Sequence, residues 1–387
     1  MIPPLERARA GACVVASHHA EAVDADGRFP IESITALREA RLMSAFIPQE
    51  LGGDGATVSE VASICHLLGR SCGSAGLIYA MHLIQTACIV RHGQSNAWQR
   101  DVLRQISAEQ SLLASATTEA ATGGDLGRSE CAVLLDGDGF TIEKHGAVIS
   151  YGDHADMILV TARRSADAPA TDQVLAVIPR RQFNLTLTEK WNALGMRGTC
   201  SNSYTVRAAG HADLILPAAY GDIQNNTMLP FAHLTWSSVW FGIAVDALSR
   251  ARRYLRGKPN AVAAQSRFVD ANIKLQQMRS DIVGALGVYE ALLASSDRAA
   301  PLSLLTMMNN LKMSVSCGVV DVIQQALMIC GMVGYRNDSP YSVGRHLRDA
   351  LSAPLMVSND RIAAGVSKML LVQRIDVDLL AGGEGID

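Results

Sequence analysis

Apolar and polar positions along the chain change period twice. Over residues 1–110 the apolar positions recur at helical spacing. Leu37, Leu42 and Phe46 lead into IPQELGGDGAT, where Gly52, Gly53 and Gly55 predict a turn. Ser59 is placed to cap a helix carrying Val61, Ile64, Cys65 and Leu68. The apolar stretch from Ala75 to Val90 is too short and too polar to predict a bilayer span. Over 111–225 the period falls to two. CAVLLDGDGFTIEKHGAVIS predicts two strands around Asp136-Gly137-Asp138-Gly139, and DMILVTAR, QVLAVIPR and NSYTVRAA predict further strands. Over 226–387 the helical period returns. Its stripes are Trp236, Trp240, Ile243 and Ala247, then Phe268, Leu275, Met278 and Ile282, then Leu304, Met308, Leu311 and Val315. After a glycine-rich break at 331–334, residues 360–380 predict a fourth helix. The fold class is α+β: an N-terminal helical domain, a central antiparallel sheet or small barrel, and a C-terminal four-helix bundle.

Composition narrows the class of protein. Of 387 residues, 49% are hydrophobic and 18% charged, which supports a large core and argues against disorder. A net charge of −3 without long like-charge runs gives no sign of a nucleic-acid or polybasic membrane surface. The eight cysteines form no CxxC pair and none stands at metal-ligand spacing from histidine. Most of them read as buried thiols in a reducing, cytoplasmic compartment, and no metal is expected. Charges and histidines interrupt the N-terminus, which reads as neither signal peptide nor membrane span.

Several motifs, in order along the chain, resemble those of the acyl-CoA dehydrogenase family. IPQELGGDGAT looks like its first loop and TTEAATGGD (117–125) like its flavin loop. Residues 142–163 look like its strand pair beside the flavin. ALGMRGTCSNSYTV (193–206) and CGMVGYRNDSP followed by HLRDA (330–350) look like its later strand and turn. The resemblance implies FAD, or FMN, held between sheet and bundle. It assigns Thr117, Thr118, Gly123, Gly124, Ile149, Ser150 and Asn359 to the cofactor. It makes Ser150 the hydroxyl that donates to flavin N5, a hydrogen bond of the kind that tunes such a ring. It also implies a homodimer or homotetramer.

The chain departs from that pattern where the chemistry lies. The family abstracts a proton with a carboxylate, a competent base once desolvated. Its two usual positions for that glutamate hold Val357 and Ala232 here. The segments that resemble the adenine-diphosphate contacts read LRGKPN (255–260) and Met328 to Met332, without the family's Phe-Gly and Gln-x-x-Gly-Gly. Val148 stands where a tryptophan commonly covers the ring. His233, read as opening the first bundle helix, is a candidate base or donor because its pKa lies near neutral. His82, on an apolar helix, is a candidate of the same kind, with a satisfied core histidine as its competing reading. Glu119, Asp360 and the TWSSVW aromatics read as structural. Three functions stay open: an acyl-thioester oxidoreductase with an unusual base, acting on CoA or a carrier protein; a monooxygenase fed reduced flavin by a reductase; and a non-catalytic relative.

Overall fold

A computed structural model describes residues 2–119, 121–123, 125–258, 261–295 and 299–373. Five principal helices open the chain: α1 (Cys13–Asp26), α2 (Ile31–Glu39), α3 (Val58–Ser71), α4 (Gly73–His92) and α5 (Ala97–Glu109). Thr57, not Ser59, caps α3. Its hydroxyl accepts from the Glu60 N–H at 3.2 Å and its own N–H donates to the Glu60 carboxylate at 2.8 Å. This reciprocal box needs the glutamate three residues past the cap, a spacing that Ser59 lacks. The Ser59 N–H instead donates to Glu290. Helix α4 also corrects an expectation. At 20 residues it is long and apolar enough to cross a membrane, as are Tyr220–Arg256 and Leu302–Cys330. In the fold, 94% of its apolar window is buried inside the protein.

The central region is the expected small sheet domain, built as two sheets, one of which has a parallel pair in place of the expected all-antiparallel order. In one, β1 (Leu113–Ala116), β4 (Met157–Arg163) and β5 (Gln173–Pro179) pair in that order, with β1 parallel to β4. In the other the order is β2 (Leu134–Asp136), β3 (Gly139–Ile149), β7 (Asn202–His211) and β6 (Phe183–Glu189), all antiparallel. The β2–β3 hairpin forms at the predicted turn, with Asp136 opposite Gly139 and Gly137 at φ +58°. β1 has four residues, too few to show alternation.

The bundle consists of α6 (Leu229–Arg256), α7 (Val262–Ala294), α8 (Leu302–Cys330) and α10 (Asn359–Leu370), with α9 (Gly344–Leu351) on the last connection. Helical structure already begins at Tyr220 and runs through a π-helical turn, Gln224–Met228, into α6. The boundary at 225/226 therefore falls inside a helix, and His233 is an interior residue, not an opening one. Residues 374–380 of the expected fourth helix lie outside the described residues. α3 and α6 cross with their backbones almost touching. A Cβ at Gly69 would lie 2.3 Å from the Val239 carbonyl oxygen, and one at Gly242 would lie 2.3 Å from that of His66. That contact fixes the N-terminal helices to the bundle.

Candidate functional site

At one wall of the site, β3 ends beside the start of β7. Ile149 is buried and pairs with Asn202 across a register shift that follows Gly146. Ser150 comes next. Its Oγ lies 2.8 Å from Ser201 Oγ, which lies 2.7 Å from Thr199 Oγ1. The Thr199 hydroxyl also lies 2.8 Å from the Met196 carbonyl oxygen. Tyr151, Met196 and Cys200 hold left-handed backbones at φ +44°, +50° and +46°. Such conformations cost non-glycine residues about 1–3 kcal/mol each. Their grouping around this trio of hydroxyls marks a place where geometry outweighs local preference. Sequence reading found Ser150 and missed Thr199 and Ser201; the available signal was the small hydroxyl residues of RGTCS facing a strand end.

The loop from 117 to 123 lies against the same edge. The Thr118 hydroxyl donates to the Val148 carbonyl at 3.2 Å, and Thr117 Oγ1 sits 3.3 Å from Ser115 Oγ. Glu119 is buried. It accepts from the wholly buried Lys144 Nζ at 2.6 Å, from the Ser129 hydroxyl and from the Glu130 N–H. Burial alone would raise its carboxyl; the Lys144 charge and these hydrogen bonds outweigh it and hold the pKa below the usual value. Glu119 anchors the loop, as the sequence suggested. The Gly123 carbonyl accepts from the Arg361 guanidinium on α10, tying loop to bundle. Gly124 lies outside the described residues.

The bundle supplies the other candidates. Ala232 is buried, while Val357 is half-buried at φ +54°. Beside them stand a histidine and a lysine. His233 Nδ1 lies 3.0 Å from the Met308 carbonyl oxygen, to which it must donate, so Nε2 carries a lone pair and has no hydrogen-bond partner among the described residues. Burial, reinforced by the charge of Lys312, pushes His233 down to about 4, so the ring is neutral near pH 7. Lys312, one turn past Met308 on α8, is fully buried, and its hydrogen-bond partner among the described residues is an amide, not a carboxylate. Its ammonium donates to Asn359 Oδ1 at 2.7 Å and sits 5.9 Å from the Trp240 ring centroid. Burial pushes it down to about 8. Asn359 also donates to Ser316 Oγ at 3.0 Å and lines a cleft of ≈ 510 Å³ with Lys274, Cys317 and Gly318. Sequence reading passed over Lys312 because a lone lysine on a helix normally points to water.

His82 takes the second of its two readings, the satisfied core histidine, and not the catalytic one. Nε2 donates to the Met43 carbonyl at 2.7 Å, and Nδ1 accepts the Leu113 N–H at 3.2 Å. The ring is wholly buried and its pKa falls to about 4 through burial. With both nitrogens committed to backbone, it is a core histidine that fastens the start of β1. The Tyr151 hydroxyl donates to the Leu113 carbonyl at 2.9 Å, so His82 bears on the Ser150 turn only through β1.

These residues fit the ring end of a flavin. A partly exposed hydroxyl, the exposed apolar Val148 and a tethered glycine loop meet at one strand end. The nucleotide end offers less. Met328 and Met332, in the segment that resembles the family's adenine-diphosphate contacts, are 55% and 71% exposed and bring no hydrogen-bond donor from their side chains. No group of three or more metal-ligating side chains occurs among the described residues, and all eight cysteines are free.

Residues 5–110 match the N-terminal domain of acyl-CoA dehydrogenases and residues 224–367 their C-terminal domain. The chain belongs to the acyl-CoA dehydrogenase family, whose cofactor is FAD. Among curated relatives, the probable acyl-CoA dehydrogenase YngJ of Bacillus subtilis (strain 168) is 25% identical over 335 residues, 86% of this chain and 87% of its own. Among solved structures, FMN-bound TdsC from Paenibacillus sp. A11-2 superposes with a TM-score of 0.84 at 19% identity, covering 95% of this chain and 97% of TdsC. A nitrososynthase from Micromonospora carbonacea var. africana gives 0.81 at 23% identity, with 96% and 98% covered. At those identities the structures establish the fold alone.

Proposed function

We propose that this protein is a monooxygenase that works on reduced flavin, with FMN as the flavin and a reductase as the partner that supplies it. One observation carries the reading. Both positions where the family places its catalytic carboxylate are aliphatic, and the polar groups beside them are a neutral histidine and a buried ammonium. Val357 and Ala232 cannot take an α-proton. A buried cation beside a neutral imidazole instead suits a site where negative charge develops on oxygen. When bound, reduced flavin supplies two electrons to O₂, so that one oxygen atom enters the substrate and the other leaves as water. In this reading Lys312 contributes positive charge, His233 Nε2 accepts a proton, and Val148 leaves open the ring face that a tryptophan would cover. The exposed methionines at the nucleotide end favour the shorter FMN over FAD. TdsC is a dibenzothiophene monooxygenase, and with the nitrososynthase it suggests a substrate oxidised at sulfur or nitrogen.

A second reading, an acyl-thioester dehydrogenase with His233 as base, draws on full-length kinship with YngJ. One pair of assays separates the two. Chemically reduced FMN and O₂ are given to the protein with sulfur- and nitrogen-containing heterocycles and amino sugars, and products gaining one oxygen are sought by mass. Flavin-loaded protein is also mixed anaerobically with acyl-CoA and acyl-carrier thioesters. An oxygenated product supports the proposal; bleaching by a thioester without any oxygenated product refutes it. The exposed Val269, Ile273 and Val283 on α7 are surface that a second copy would cover, in keeping with a homodimer or homotetramer.

A further inference from the structure

The three hydroxyls at the end of β3 have a direction that counting protons reveals. A carbonyl oxygen has no proton, so the 2.8 Å contact between Thr199 Oγ1 and the Met196 oxygen needs the threonine's hydrogen. Thr199 has then spent its one donor. The 2.7 Å contact with Ser201 therefore needs the hydrogen of Ser201, and the 2.8 Å contact between Ser201 and Ser150 needs that of Ser150. Ser150 is left with lone pairs only. Reversing the chain would set the Thr199 and Met196 oxygens 2.8 Å apart with no hydrogen between them. The arrangement is built in: Thr199 and Ser201 are buried, and the Tyr151 N–H donates to the Thr199 carbonyl at 2.8 Å, locking the two strand ends together.

We infer that Ser201 and Thr199 are positioning residues that turn Ser150 into a hydrogen-bond acceptor, so that the site prefers reduced flavin to oxidised flavin. The inference rests on the reading that a flavin docks beside Ser150. Reduced flavin carries a hydrogen on N5, which the Ser150 oxygen can accept. Oxidised flavin has only a lone pair there, and to donate to it Ser150 must give up its bond to Ser201. This reverses the donor role that the family resemblance implies for Ser150. It also suits a protein that takes up its flavin already reduced.

The test is equilibrium binding of FMN to the purified full chain, oxidised in air and reduced under anaerobic dithionite, by fluorescence and by calorimetry. Wild-type protein is expected to bind the reduced form more tightly. Ser201→Ala frees the Ser150 proton and is expected to cut the reduced-to-oxidised affinity ratio roughly five- to tenfold, the effect of about one hydrogen bond. The midpoint potential of bound flavin should fall correspondingly, by about 30 mV per tenfold for a two-electron couple. Ser201→Thr, which keeps the hydroxyl, is expected to restore the ratio. Circular dichroism of both variants guards against misfolding, and Ser150→Ala gives an independent loss of the preference should Ser201→Ala fail to fold. Equal affinity for the two forms in wild type, or an unchanged ratio in folded Ser201→Ala, overturns the inference and leaves flavin docking intact. Binding of neither form overturns both.

Discussion

Lys312 shows how a single side chain can be costly and retained. Its folded pKa of about 8 lies below the ordinary lysine value, so the unfolded chain binds more protons between about pH 8 and 10.5. Stability due to this group therefore rises with pH across that window, and the charged form weakens the fold below it. Lys312→Met is expected to leave the melting temperature at pH 7 unchanged or raise it, relieving about 1–3 kcal/mol less the lost bond to Asn359. Oxygenation should fall at least tenfold in the same variant. In wild type, activity with supplied reduced FMN should decline as the pH passes about 8, and the variant should lack that limb. A clearly lower melting temperature without loss of activity would make Lys312 a structural residue only.

At the scale of elements, the site depends on the helix crossing that holds α6 in place. α3 and α6 meet through Gly69 and Gly242, where a methyl group would strike a backbone carbonyl that cannot rotate away. Alanine in a helix interior normally gains up to about 1 kcal/mol over glycine. Here overpacking costs more, about 1–3 kcal/mol or beyond. Gly242→Ala is expected to lower the urea midpoint, and a variant as stable as wild type would mean that the helices separate freely. α6 also carries Ala232 and His233, so a tilt of this helix would move His233 relative to Ser150. The Glu119–Lys144 pair does the corresponding task for the loop, joining it to β3 inside the sheet region.

Over the whole molecule, histidines that packing takes wholly or partly out of water set a limit on acid tolerance. His66, His82, His92 and His233 are each pushed down to about 4, chiefly by burial. An unfolded histidine titrates near 6.5, so below that pH the unfolded chain takes up protons that the folded chain refuses. Stability is therefore lost as pH falls from about 6.5 to about 4. The wholly buried His82 and His233 alone account for on the order of 2 kcal/mol or more. Urea midpoints measured at pH 7, 6 and 5 are expected to drop steadily; a flat series would mean that these rings charge within the fold.

The order of helical, sheet and bundle regions was legible in the sequence because hydrophobic period is a local property: 3.6 for a helix, 2 for a strand. That Val357 and Ala232 stand where the resemblance implies a carboxylate was legible too, since they are identities and need no coordinates. Ser150 could be found through its motif. Its partners could not, because the direction of its proton depends on Thr199 and Ser201, some fifty residues away and brought near by the pairing of β3 with β7. In sequence His82 and His233 are both candidates, each with a structural reading beside the functional one. Packing separated them, giving the first two backbone partners and the second only one. Lys312 became notable only when Trp240 on α6 and Asn359 on α10 closed around it, because burial changes the cost of a charge and burial is a property of the assembled fold.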